Sequence, residues 1–184
     1  MAKSEPQPDA NARMAEALVP AVKNASTIRL YSLMAAQPFF SEMNSFHLGL
    51  LAGLAMETRF EPGKFIFKQG DPANRFYLIQ EGEVLMEIQS HDGRIIAIRK
   101  VGPGEELGWS WMFASSYFHA TARVIKPTKA IFFYGTILRQ QCEEDHQFGY
   151  EMMKRAAAAT VQSLNAFQQN IVLGAGPIQP APPE

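Results

Sequence analysis

Cysteine is nearly absent from this 184-residue chain. Cys142 is the sole one, which excludes an intramolecular disulfide framework and fits a reducing compartment. A surplus of charge is missing too: 17 Lys and Arg stand against 18 Asp and Glu, for a formal net charge of −1. Nothing therefore draws the chain over long range toward nucleic acid or an anionic membrane, and no segment carries the basic face of a DNA-binding domain. No apolar run reaches the roughly 20 residues of a membrane span. The opening Met1-Ala-Lys-Ser-Glu-Pro-Gln-Pro-Asp9 lacks the apolar stretch of a secretion signal. These absences predict a cytoplasmic protein with neither nucleic acid nor membrane as partner.

Catalytic constellations are missing as well. His47, His91, His119 and His146 are dispersed, without metal-ligand spacing. Gly102-Pro-Gly104 lacks the Gly-Lys-Ser/Thr ending of a phosphate-binding loop, and no Ser/His/Asp arrangement stands out. Cys142 lies at a helix start, but Glu143, Glu144 and Asp145 oppose a lowered thiol pKa. The expectation is a protein that is not an enzyme and holds no metal or cofactor.

What is present is a sequence of changing texture. Residues 1–12 are polar and proline-bearing and read as disordered. Residues 13–55 read as helical: signals through Met14, Ala17, Leu18 and Val22, a second region from Ser26 to Met34, and a third from Ser41 to Ala55. From Met56 to 135 the pattern is β. Lys64–Lys68, Arg75–Gln80, Glu83–Ile88, Arg94–Val101, Ala120–Ile125 and Lys129–Tyr134 read as short strands, divided by Glu61-Pro-Gly63, Glu81-Gly82, Asp92-Gly93 and Pro127. Many short strands at close spacing predict a barrel or a jelly roll, which closes on itself and hides its edges. Residues 136–172 read as one long helix, with Glu143-Glu144-Asp145 suited to a helix start. Its apolar stripe runs Phe148, Met152, Ala156, Thr160, Ser163 or Leu164, Phe167 and Ile171. Residues 173–184 form a proline-rich tail with nothing to bury. The predicted fold class is thus mainly β with flanking helices: a barrel or jelly roll with N-terminal helices and a long C-terminal helix.

At Phe60-x-Pro-Gly63, Phe67-x-Gln-Gly70-Asp71, Tyr77-x-Ile-x-Glu-Gly82-Glu-Val84, Asp92-Gly93 and Gly102-Pro-Gly104-Glu-x-x-Gly108 the chain resembles the cyclic-nucleotide-binding domains of Crp/Fnr-type regulators, kinase regulatory subunits and gated channels. The Gly108-Trp-Ser-Trp111 stretch resembles a stand-alone subgroup of that family. The resemblance covers about residues 35–172 and implies a double-stranded β-roll (jelly roll), a short helix carrying a phosphate-binding cassette, and a long C-terminal helix that pairs two subunits. It also implies a ligand sensor that takes a cyclic nucleotide or another small molecule. Where the bacterial regulators continue into a helix-turn-helix, this sequence has its proline-rich tail, which predicts a module without a DNA-binding domain.

The departures from the family pattern carry the functional reading. In ligand-binding members a glutamate for the ribose follows the glycine at 108, and an arginine for the cyclic phosphate comes about ten residues later. Here those places hold Trp109 and Phe118-His119. A forked, permanently charged guanidinium matches two phosphate oxygens. Phe118 offers neither fork nor charge, and losing a desolvated charge pair costs on the order of 2–5 kcal/mol. High-affinity binding of cyclic AMP or GMP in the usual pose is not expected. The candidate pocket comprises Gly108, Trp109, Ser110, Trp111, Tyr117, Phe118, His119, Thr121 and Arg123, with Gln162 and Ser163 approaching from the C-terminal helix.

Two readings of the aromatic residues stand side by side. Trp109, Trp111, Tyr117 and Phe118 form a wall for a flat or apolar ligand, or the two tryptophans fill the roll where a nucleotide would sit. His119 is read as a polar residue of the pocket rim or a ligand contact, and Arg123 as a solvated strand arginine or a cation reaching toward a phosphate. For function, the first reading is a non-enzymatic sensor that signals through its C-terminal helix to a second subunit or a protein partner. The rival is a degenerate roll retained for dimerisation or docking, with no small-molecule ligand.

Overall fold

A computed structural model of the chain describes residues 25–113 and 116–172. The disorder expected over residues 1–12, the helical signals up to Val22 and the tail over 173–184 lie outside the described residues. The chain divides into two compact units, Met1–Ala55 and Met56–Glu184.

In the first unit, helix α1 (Ala25–Ala35) buries Leu30 and Met34 and packs on helix α2 (Ser45–Leu54), with a single 3-10 turn at Pro38–Phe40 between them. The last helix was expected from Ser41 but begins at Ser45. Glu42 sits at φ 61, outside the right-handed helical region, and the Asn44 side chain accepts the Phe46 amide at 2.8 Å. That interaction is an N-cap, which ends the preceding non-helical segment where the helix starts.

The second unit is built on six antiparallel strands: β1 (Met56–Phe60), β2 (Phe65–Phe67), β3 (Arg75–Gln89), β4 (Ile95–Val101), β5 (Glu106–Leu107) and β6 (Thr121–Tyr134). The main path runs β1-β6-β3-β4, with β2 also on β6 and β5 also on β3. Two long strands, β3 and β6, stand where the sequence pattern suggests four short ones. Gly82 lies opposite Pro127 and Thr128, so close that a Cβ on it would meet the Pro127 carbonyl at 2.4 Å. Register shifts at Glu81 and Glu83 take up the irregularity. Two breakers facing each other across one ladder bend it without ending it. The bent ribbon rolls around Phe67, Tyr77, Ile79, Val84, Leu107, Ala122 and Val124.

The helical C-terminal region is two helices rather than one: α3 (Gly135–Glu144) and α4 (His146–Val172). Asp145 makes the break. Its Oδ1 accepts the amides of Gln147 and Phe148 at 2.9 and 3.0 Å, capping α4, as the acidic cluster suggested. The buried stripe of α4 is Phe148, Met152, Ala156 and Ala159. Thr160 and Leu164, which the even four-residue spacing placed on that stripe, are exposed, because 3.6 residues per turn require a step of three after two steps of four. The Phe167 and Ile171 side chains lie outside the described ones. Among the described residues no helix is long and apolar enough to cross a membrane.

Candidate functional site

The stretch leading to Gly108 is anchored before it turns. Glu105 accepts the Gly102 amide at 2.6 Å and Arg99 at 2.8 Å. Backbone bonds between Ile79 and both Gly104 and Glu105 tie the turn to β3. Leu107 and Glu106 then pair with Tyr77 and Leu78. Gly108 follows at φ 93, so close to β3 that a Cβ would meet the Arg75 carbonyl at 2.7 Å. Only glycine satisfies both conditions without strain. A short 3-10 helix, Trp109–Met112, begins there. Burial raises the pKa of the Glu106 carboxyl, opposed by a backbone amide, Arg99 and the Trp109 indole.

The aromatic residues point in different directions, which corrects the single wall expected of them. Phe118 is buried inside the roll, its ring stacked on Phe67 with centroids 3.8 Å apart and 14° between planes. The Trp109 and Trp111 rings instead lie 4.6 and 6.3 Å from that of Phe76. Phe76 neighbours Phe133 across the ladder and, one residue from the inward-facing Tyr77, belongs to the opposite face of the sheet. The ring filling the roll is therefore Phe118 and not either tryptophan.

Trp111 is fully buried and wedged toward α3: a Cβ on Gly135 would meet its Cβ at 2.7 Å. Arg139 of α3 donates to the Trp111 carbonyl. Ser110 is half-buried, while Tyr117 and His119 are exposed. On α4, Gln162 is exposed and Ser163 half-buried.

Arg123 neither reaches into the roll nor stands in solvent, correcting both readings of it. Its guanidinium grips Glu87, with Nε at 3.2 and 3.1 Å from the two carboxylate oxygens and Nη2 at 2.9 Å. The Glu87 side chain is only 8% exposed. A buried acid interrupting the apolar run Val84-Leu-Met-Glu-Ile88 was the signal available in the sequence, and the motif reading passed over it. Thr121 accepts the Gln69 amide at 3.0 Å, and the Gln69 side chain accepts the Gln89 amide at 2.9 Å. These residues border a cleft of about 770 Å³ at the end of the roll nearest the β3–β4 hairpin. Gly108 and Phe118 thus meet at one place (3.3 Å from a Gly108 Cβ to Phe118 Cε1), Trp109 and Trp111 lie behind the sheet, Thr121 lines the cleft, and Arg123 pairs with Glu87, which lines it too.

Residues 57–145 match the family model described as the cyclic nucleotide-binding domain. A protein of Rhodopseudomonas palustris named for a potassium channel is 25% identical over 136 residues, 73% of this chain. The chain spans 32% of that relative's length. Among solved structures, a protein of Geobacter metallireducens GS-15 named for cyclic nucleotide binding is 27% identical with a TM-score of 0.65, over 77% of this chain and 99% of that one. The N-terminal domain of a transcriptional regulator from Streptomyces coelicolor A3(2) shares the fold, with a TM-score of 0.59 at 24% identity over 72% of this chain and 94% of that one.

Proposed function

We propose that this chain, whose residues 57–145 match the cyclic nucleotide-binding domain family, is a non-enzymatic regulatory module that senses a small ligand without the usual phosphate clamp. The observation that carries the reading is the contact between Trp111 and Gly135, reinforced by the bond from Arg139 to the Trp111 carbonyl. Through it, a shift of the Gly108–Phe113 turn is felt by α3 and, across Asp145, by α4. A ligand that binds one position of this turn better than another shifts the population of both helices.

The output surface in this reading is the outward face of α4. Tyr150, Met153, Ala157, Val161 and Leu164 are all exposed and recur at steps of three or four, the spacing of a helix-pairing seam. A second copy of the chain or a protein partner covers it, and neither nucleic acid nor membrane is required. A sensor of this kind works in the cytoplasm. Met153→Glu tests the seam: sedimentation should show a lighter species than the parent, and an unchanged mass would remove homodimerisation.

The Phe118–Phe67 stack favours a second reading, a docking roll whose interior takes no ligand, because the stacked rings occupy the space. Calorimetric titration with cyclic AMP separates the two from the ordinary family activity. Little heat is expected from the parent and a gain of affinity from the Trp109→Glu, Phe118→Arg double variant. Tight saturation of the unmodified protein would refute the absence of a clamp. A melting screen then distinguishes sensing from docking, since a ligand specific to the folded state raises Tm.

A further inference from the structure

We propose that the cleft beside the β3–β4 hairpin is a ligand site separate from the roll interior, taking a flat ring that carries one phosphate or carboxylate group. At about 770 Å³ it has the size of a nucleotide-scale site. Its apolar surface comes from two strands: Phe65 of β2 and Ile95 of β4, each 42% exposed although large and hydrophobic. Lys68 lies over the Phe65 ring, 4.8 Å from Nζ to the centroid. A ring that displaces the flexible Lys68 side chain from the face of Phe65 would keep its cation within reach, the pairing that an aromatic anion requires.

The remaining groups do not repel an anion. Glu87 is held on three hydrogen bonds by Arg123, so its charge is matched. At the hairpin tip, Asp92 is matched by Arg94 at 2.7 Å. The walls are also formed in advance: the Gln69 amide is fixed to Thr121 and the Gln89 amide to the Gln69 side chain. Preformed walls lower the ordering cost of binding. The Gly70 amide donates to the Phe118 carbonyl at 2.8 Å, and the Phe118 amide to the Asp71 carbonyl at 2.9 Å. An occupant of the cleft thereby acts on the loop that holds the ring inside the roll. This site does not depend on whether the interior binds anything.

The test is amide NMR of the full chain titrated separately with 5′-AMP, 2-naphthoate and inorganic phosphate. Saturable shifts at Gln69, Gly70, Gln89 and Thr121 are expected with one or both ring-bearing anions, and AMP against naphthoate distinguishes a phosphate source from a carboxylate one. Phe65→Ala and Lys68→Gln, both at exposed positions, should each weaken that binding on the order of tenfold. Saturation by inorganic phosphate as tight as by either ring compound would overturn the proposal. So would shifts confined to Gly108–Met112, binding indifferent to both substitutions, or no saturation by any probe at millimolar concentration.

Discussion

The Phe118 ring lies flat on that of Phe67, 3.8 Å between centroids, with the edge of Phe118 against Gly108. The glycine turn and the ring are one arrangement: the turn leaves no room for a Cβ, and the ring takes the volume beside it. Removing the ring leaves an internal void. Phe118→Ala is expected to cost about 3–5 kcal/mol, the range for aromatic truncation in a packed core, read from urea unfolding of the variant against the parent. A loss below about 1 kcal/mol, the scale of an ordinary substitution, would mean the ring is not packed as described.

Gly135 opens α3 directly against Trp111. A methyl group there would sit 2.7 Å from the Trp111 Cβ, and neither partner is a flexible chain end able to swing away. Gly135→Ala should destabilise by about 1–3 kcal/mol, as overpacking does, even though alanine is the better helix former. The local signature is faster amide exchange across α3 and the 109–112 turn together. Faster exchange in only one of them would argue against mechanical coupling between turn and helix.

The Glu87–Arg123 pair predicts an asymmetry. Breaking a buried pair by removing one partner costs about 3–5 kcal/mol because the other charge is stranded. A quarter of the Arg123 side chain is exposed, so solvent screening brings both single variants to the low end of that range or below it. Arg123→Met strands an acid at 8% exposure, whereas Glu87→Gln strands a cation that water can reach. Arg123→Met should therefore be the more damaging, and the double variant should lose less than the sum of the two. Equal, additive losses in denaturant titrations would show that the pair is not coupled.

These same residues differ in how much of their role the sequence shows. Gly82, Gly104 and Gly108 were legible because each holds a positive φ, a demand that the glycine itself announces. The roll and the capping role of Asp145 were legible for similar local reasons. The continuity of β3 and β6 was not, since whether Gly82 and Pro127 end two strands or bend one ladder depends on their lying opposite each other. β1, Met-Glu-Thr-Arg-Phe, has no apolar alternation to reveal it, and β5 is two residues long. For the site, side-chain direction was the missing quantity. Phe118 and Trp111 both read as bulky aromatics near Gly108, yet one faces into the roll and the other toward α3.

Cys142 gives a prediction with a defined pH window. Burial, then Asp145 and Glu143, push its thiol pKa up from 9.0 to about 11. Between those two values the unfolded chain has released a proton that the folded chain keeps. The thiol's contribution to stability is thus fully present below pH 9 and is lost as pH rises toward 11. Tyrosines and lysines titrate over the same span, so the comparison is with Cys142→Ser, in which every other group is retained. The stability of the parent relative to this variant should fall steadily across that window, as followed by denaturant midpoints. At pH 8 the folded thiol should also alkylate more slowly with iodoacetamide than the urea-unfolded chain does, because the thiolate is the reacting species. A relative stability that stays flat or rises with pH, or alkylation as fast folded as unfolded, would place the thiol in solvent instead of against α4.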